Sequence, residues 1–241
     1  MTPDVTVWLV FARAAGLVTR APGFSHPSVP HAVRAGLALA LAFAMAPHVV
    51  HARDVSLVAF AIAVAGEVAL GAAIGFGASL LYDGAYFAGR TIDDYLGVRG
   101  SVPGANVTNA QAFGRLWSSL FLLAFFACDG WVPLIDAFAS SFDAVAPGAF
   151  VSRAGWLAFG LALPATLLRA ALLVAAPVIG VAASVHLALA AATRVVPRLT
   201  NVGIAFPAVF AAALAVTVAL VPALARDGGA PWLVVPWSVR R

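Results

Sequence analysis

Apolar positions along this chain come in long, nearly unbroken blocks rich in Ala and Leu. Short joints between them hold most of the Pro, Gly and charged residues. A transmembrane β-barrel would instead alternate apolar and polar positions in segments of about ten residues. In hydrocarbon every backbone N–H and C=O needs an internal partner, so blocks of this kind form helices. The pattern predicts apolar helical segments over residues 5–18, 32–46, 55–82, 112–128, 156–192 and 202–221, within a single integral membrane domain covering 1–241. The 156–192 block contains Pro164 and Pro177. It exceeds the roughly 20 residues of one crossing, so it reads as two segments meeting near Pro177. Segment 5–18 is short for a span and carries Arg13; a tilted or protein-buried helix suits it. The joint at 20–31 has Pro22, Gly23, Pro27 and Pro30, and repeated prolines fix φ and remove donors, which excludes helix there.

Two regions depart from the plain apolar pattern. Residues 131–145 place Asp136 and Asp143 on one side of an otherwise apolar stretch, the mark of an amphipathic helix. Residues 83–111 are the most polar stretch, with Arg90, Asp93, Asp94, Arg99 and Asn106. A helix continuing to about Leu96 and then a flexible loop over 97–111 is expected there. Within 55–82, Gly71 and Gly75 form a GxxxG, a spacing that lets helix backbones approach closely in a membrane.

Composition turns this pattern into a class. Hydrophobic residues make up 63% of the 241 and charged residues 10%, and mean hydropathy is +0.99. A soluble domain is about 45–50% apolar and about 25% charged, so most of this apolar surface must meet lipid or other apolar protein. The expected fold is an all-α membrane protein of helical hairpins, several of them broken by proline. Net charge is +4, and every basic residue is Arg. These arginines are scattered singly between apolar blocks, which argues for membrane flanks and against a nucleic-acid face. Arg20 and Arg34 flank the first joint, and Arg90, Arg99 and Arg115 lie in or beside the third; the bias of Arg toward cytoplasmic loops would put both on that side. The single cysteine, Cys128, permits no intrachain disulfide and no Cys-based metal site.

Candidate chemistry is sparse. Glu67 is the lone acid in its apolar block. Such a carboxylate is either a proton or ion site or a buried group paired with an Arg or bonded to another helix. Arg90, Asp93 and Asp94 have i, i+3, i+4 spacing and can meet on one side of a helix, as a salt-bridged cluster or a polar lining. His48 and His51 lack an acid or thiol to complete a metal set. No nucleophile elbow, HExxH or phosphate loop occurs, so no catalytic residue, cofactor or metal is expected and the chain does not read as an enzyme. A small-molecule or ion secondary transporter is the alternative class; it would bind at Gly/Pro-interrupted helices near the midplane. A structural assembly factor for another membrane complex is a third.

The order of short motifs adds a resemblance. Arg13 is followed by Pro22-Gly23-Phe24-Ser25-His26-Pro27, then Arg34 and Pro47; next come Gly66-Glu67, Gly71, Gly75-Phe76 and Ala88-Gly89-Arg90-Thr91-Ile92-Asp93. Asp129-Gly130, Ser140-Ser141-Phe142, Pro147-Gly148, Ala176-Pro177, the joint from Arg194 through Pro197 to Asn201, and Phe206-Pro207 complete the series. In order and spacing this resembles the FliR/SctT family, export-gate subunits of flagella and virulence injectisomes. Arg90 stands where that family has a polar or acidic residue, and 97–111 lacks the acidic-Pro pair of flagellar members; both favour the injectisome branch. The resemblance implies a non-enzymatic, multi-pass protein of the bacterial inner membrane. It would pack in a hetero-oligomeric export gate with other small export-gate subunits, beside the export-switch protein and the larger export-apparatus membrane protein, and pass unfolded secreted proteins across the membrane lipid. Gate or subunit-contact roles are then expected for Glu67, Arg90, Asp93, Asp94, Gly97, Arg194 and Pro197, and a closure role for the loop 97–111.

Overall fold

A computed structural model describes residues 5–26, 29–50, 56–96, 112–127, 129–195 and 202–225. Every regular element among them is helical: α1 (Val5–Arg20), α2 (His31–Met45) with a 3₁₀ turn at Ala46–His48, α3 (Leu57–Leu96), α4 (Ala112–Ala127), α5 (Trp131–Ala144), α6 (Arg153–Val195) and α7 (Val202–Ala225). By length and composition, Leu57–Leu80 of α3 and the whole of α6 can each cross a membrane. Large apolar side chains face outward along them, including Leu57 at 83% and Leu187 at 72% exposure. A soluble surface would not present such a run of apolar side chains, and the chain is an all-helical membrane protein.

α6 is one continuous helix of 43 residues through both Pro164 and Pro177. The expectation of two segments meeting near Pro177 is therefore corrected. A proline removes a single N–H from the ladder, and the turns on either side keep theirs. In an apolar medium, breaking the helix would expose far more unpaired backbone than the proline itself does.

The described residues form two compact units. One comprises those within Met1–Leu80 and Phe125–Thr166, the other those within Leu81–Ala124 and Leu167–Gly228. In the first unit the short helix α1 buries more than half of its residues in protein. Val10, Ala14, Leu17 and Val18 are buried against Ala38 and Ala42 of α2 and Leu134, Phe138 and Phe142 of α5. The GxxxG of α3 does what its spacing predicts. A Cβ on Gly71 would collide with the Arg13 carbonyl, and one on Gly75 would lie 2.5 Å from the Leu17 carbonyl oxygen. Gly16 of α1 reciprocates against the Val68 carbonyl. Backbone therefore meets backbone across α1 and α3, and only glycine fits there. α5 is amphipathic as expected: Leu134, Ala137, Phe138, Ser141 and Phe142 are buried, while Asp136 and Asp143 are exposed.

In the second unit Ala85, Ala88 and Ile92 of α3 pack with Phe113, Trp117 and Phe121 of α4, Val174, Ala175 and Val178 of α6, and Ala213 of α7. Gly84 allows a close approach to α6, since its Cβ would sit 2.7 Å from that of Ala170.

A buried ion-pair node and a cross-helix cap

Glu67 lies in the middle of the first unit, 1% exposed, and its partner is Arg13 of α1, which is fully buried. The Nε–H of Arg13 donates to Oε2 of Glu67 at 2.5 Å, and Nη2 donates to Oε1 at 3.1 Å. This two-pronged geometry matches the fixed fork of the guanidinium to the carboxylate. The remaining contacts come from α5 and the segment after it. Nη1 donates to the Ser141 hydroxyl at 2.9 Å, and Nη2 to the Val145 carbonyl at 2.9 Å. The Ser141 hydroxyl in turn donates to the Phe138 carbonyl at 2.6 Å. The Phe142 ring lies under the guanidinium, 4.1 Å from its Cζ, a cation–π contact in a dry setting. The Gly148 N–H donates to Oε1 of Glu67 at 2.8 Å. Gly148 takes φ +81°, a left-handed conformation that glycine adopts without a Cβ penalty. Beside it, Phe150 covers Gly66, whose Cβ would lie 2.7 Å from the ring.

A buried charge is tolerated only when paired and hydrogen-bonded throughout. Here three N–H groups converge on the two oxygens of Glu67, and four N–H bonds leave Arg13. The node ties α1, α3, α5 and the turn after α5 into one polar centre inside an apolar unit. Glu67 is thus the Arg-paired carboxylate, the second of the two readings its sequence position allowed. Arg13, Ser141, Phe142 and Gly148 were not singled out by chemistry in the sequence. The available signal was that a lone acid inside apolar helix needs a cation, and Arg13 is a lone cation inside another.

The second unit has its own buried acid. Asp93 is fully buried near the end of α3. Its Oδ1 accepts the Phe113 N–H at 3.0 Å and its Oδ2 accepts the Gly114 N–H at 3.0 Å. These amides belong to the first turn of α4, where N–H groups lack partners within their own helix. A carboxylate there also meets the positive end of the helix dipole. Gly89 makes the approach possible: its Cβ would collide with the Phe113 carbonyl. Ala88 and Ile92 are buried on the same side. The Ala88-Gly89 and Ile92-Asp93 pairs thus act as one device, a small-residue seat and a cap.

Arg90 and Asp94 are exposed. Asp93 is turned inward onto α4, where it holds the two amides. Arg194 is exposed near the end of α6. Gly97, Pro197 and the loop 97–111 lie outside the described residues. Among the described residues no group of three His, Cys, Asp or Glu comes together to hold a metal.

The residues gathered here come from motifs far apart in the chain: Arg13, Gly66-Glu67, Gly71, Gly75, Ser141-Phe142 and Gly148 in one unit, Ala88-Gly89 and Ile92-Asp93 in the other. The chain is 29% identical over 218 residues to the flagellar biosynthetic protein FliR of Escherichia coli (strain K12), covering 88% of this chain and 83% of that protein. Residues 5–228 match the family described as bacterial export proteins, family 1, and the chain belongs to that family.

Proposed function

We propose that this chain is a core subunit of a type III export gate in the bacterial inner membrane, forming part of the channel through which unfolded substrate proteins pass. The observation that carries this reading is the family match, which extends over 5–228 and so includes both buried polar sites. The chain would be multi-pass and would work in a hetero-oligomer with other small export-gate subunits, next to the export-switch protein and the larger export-apparatus membrane protein. Its part is that of a conduit wall and not of a catalyst. Glu67 and Asp93 support this as fixed structural acids of a subunit that must hold its shape while neighbours assemble on it. A small-molecule or ion transporter would need an intramembrane acid open to its cargo, whereas Arg13 and Gly148 already occupy both oxygens of Glu67.

Arg90 in place of a polar or acidic residue, and the absence of an acidic-Pro pair from 97–111, favour the injectisome branch over the flagellar one. Deletion of the gene tests both levels. Loss of secreted virulence substrates from the medium with motility intact is the expected result. Loss of motility with secretion intact would move the chain to the flagellar branch. Retention of both would overturn the export reading.

A further inference from the structure

α6 carries a charge that no described residue answers. Arg169 is exposed, and among the described residues it has no hydrogen-bond or ion-pair partner. It sits at position 17 of a 43-residue helix that is apolar on both sides of it. Hydrocarbon takes about 20 helical residues, so α6 can be placed in a bilayer in only a few ways, and each leaves a surface needing protein cover. A crossing that includes Arg169 puts an unpaired guanidinium among lipid tails, which membrane helices avoid unless a partner group answers the charge. A crossing wholly after Arg169 leaves Leu157 and Leu161, 64% and 70% exposed, in water. A crossing wholly before it has 16 residues available, too few, and strands the apolar remainder outside.

We infer that the Arg169 face of α6 is an interface for a helix of another subunit, one that presents a carboxylate to Arg169. The charge requires an acid. The shape fits a helix: Leu172, Ala176 and Gly180 follow Arg169 at helical spacing, all exposed, and a Cβ on Gly180 would meet nothing within 4 Å. Small residues beside a polar anchor let a second helix backbone come close. Arg answers a carboxylate two-pronged, which also fixes the register of the two helices. This surface rests on the reading of the chain as a subunit of a membrane assembly, and it names the chemistry of one neighbour.

The test is site-specific photo-crosslinking in native membranes, with a photoreactive residue at Leu172, combined with Arg169→Glu, Arg169→Gln and Arg169→Lys. The expected result is a protein adduct in the unaltered background. Its yield should fall about tenfold or more in Arg169→Glu, because like charges would then face each other, fall severalfold in Arg169→Gln, and largely persist in Arg169→Lys. Replacing the carboxylate found in the adducted peptide by Arg should restore the Arg169→Glu yield. Membrane level and protease pattern of the chain should stay unchanged, since Arg169 holds no described contact; if Arg169→Glu fails to accumulate, Arg169→Gln reads the same loss. An adduct to lipid alone, an adduct to a second copy of this chain, or a yield indifferent to Arg169→Glu would overturn the proposal. A charge-rescued adduct to a protein outside any secretion apparatus would uphold the surface and overturn the export reading. An intact export complex with no adduct at Leu172 would do the reverse.

Discussion

Replacing Glu67 with Ala should be among the most damaging single changes in this chain. It leaves the Arg13 guanidinium, fully buried, without its acid and with two of its four N–H bonds gone. It also takes the acceptor from the Gly148 N–H. Breaking a buried ion pair by removing one partner costs about 3–5 kcal/mol, and an orphaned backbone N–H costs about 1–3 kcal/mol. Because the two losses share one site they do not simply add, and we expect about 4 kcal/mol or more. At about 2–4 °C per kcal/mol for a chain of this size, the thermal midpoint should drop on the order of 10 °C. Glu67→Gln is not a conservative change. Both oxygens accept N–H bonds, so one must be replaced by an NH₂ facing another donor, and the cost should be about 2–3 kcal/mol. Arg13→Met combined with Glu67→Leu removes both charges together and should cost less than either single alanine change. Thermal denaturation of the detergent-solubilised chain, purified from its native membrane, measures these three variants and Arg13→Ala beside them. Single variants within about 0.5 kcal/mol of the parent, or a double variant costing the full sum of the singles, would refute this reasoning.

Asp93→Ala should speed hydrogen exchange at Phe113 and Gly114 and cost about 0.5–2 kcal/mol, the usual range for a lost helix cap; exchange at those amides unaltered from the parent would rule the cap out. Asp93→Asn keeps one acceptor of the two and should fall between. Gly71→Ala should destabilise by about 2 kcal/mol or more, since its methyl meets the Arg13 carbonyl and backbone must move. Gly36→Ala is the control: nothing lies within 4 Å of its Cβ, and a helical Gly→Ala change in open space stabilises by up to about 1 kcal/mol. Equal melting of the two alanine variants would sink the close-packing account. Glu67→Gln should also reduce secretion in vivo, and full secretion by that variant would remove Glu67 from the parts the gate depends on.

Much of the helical pattern is written in the apolar blocks, because in a membrane protein the same property that buries a residue also fills the helix with Ala and Leu. α3 running on to Leu96 was legible too, since its polar part keeps helical spacing. The length of α6 was not: proline is a strong helix breaker in water, and the cost of unpaired backbone in an apolar medium outweighs it. The Arg13–Glu67 pair was half legible. A lone acid in an apolar block announces that it needs a partner, but the sequence separation of 54 residues carries no periodicity that would choose Arg13 over Arg115 or Arg169. The cap at Asp93 was hidden for a related reason. The spacing of Arg90, Asp93 and Asp94 says that they can meet, whereas the outcome depends on α4 arriving with unpaired amides. Ser141 and Gly148 could be found only through motif order, because a serine or glycine that completes a buried polar site looks locally like any other.

The export-gate reading is most directly tested by a mild-detergent pull-down of the tagged chain from its native membrane, followed by mass spectrometry. The account predicts co-purification of other small helical inner-membrane proteins together with secretion-system components. Recovery of the chain alone or as a homodimer, with no secretion partner, would contradict it.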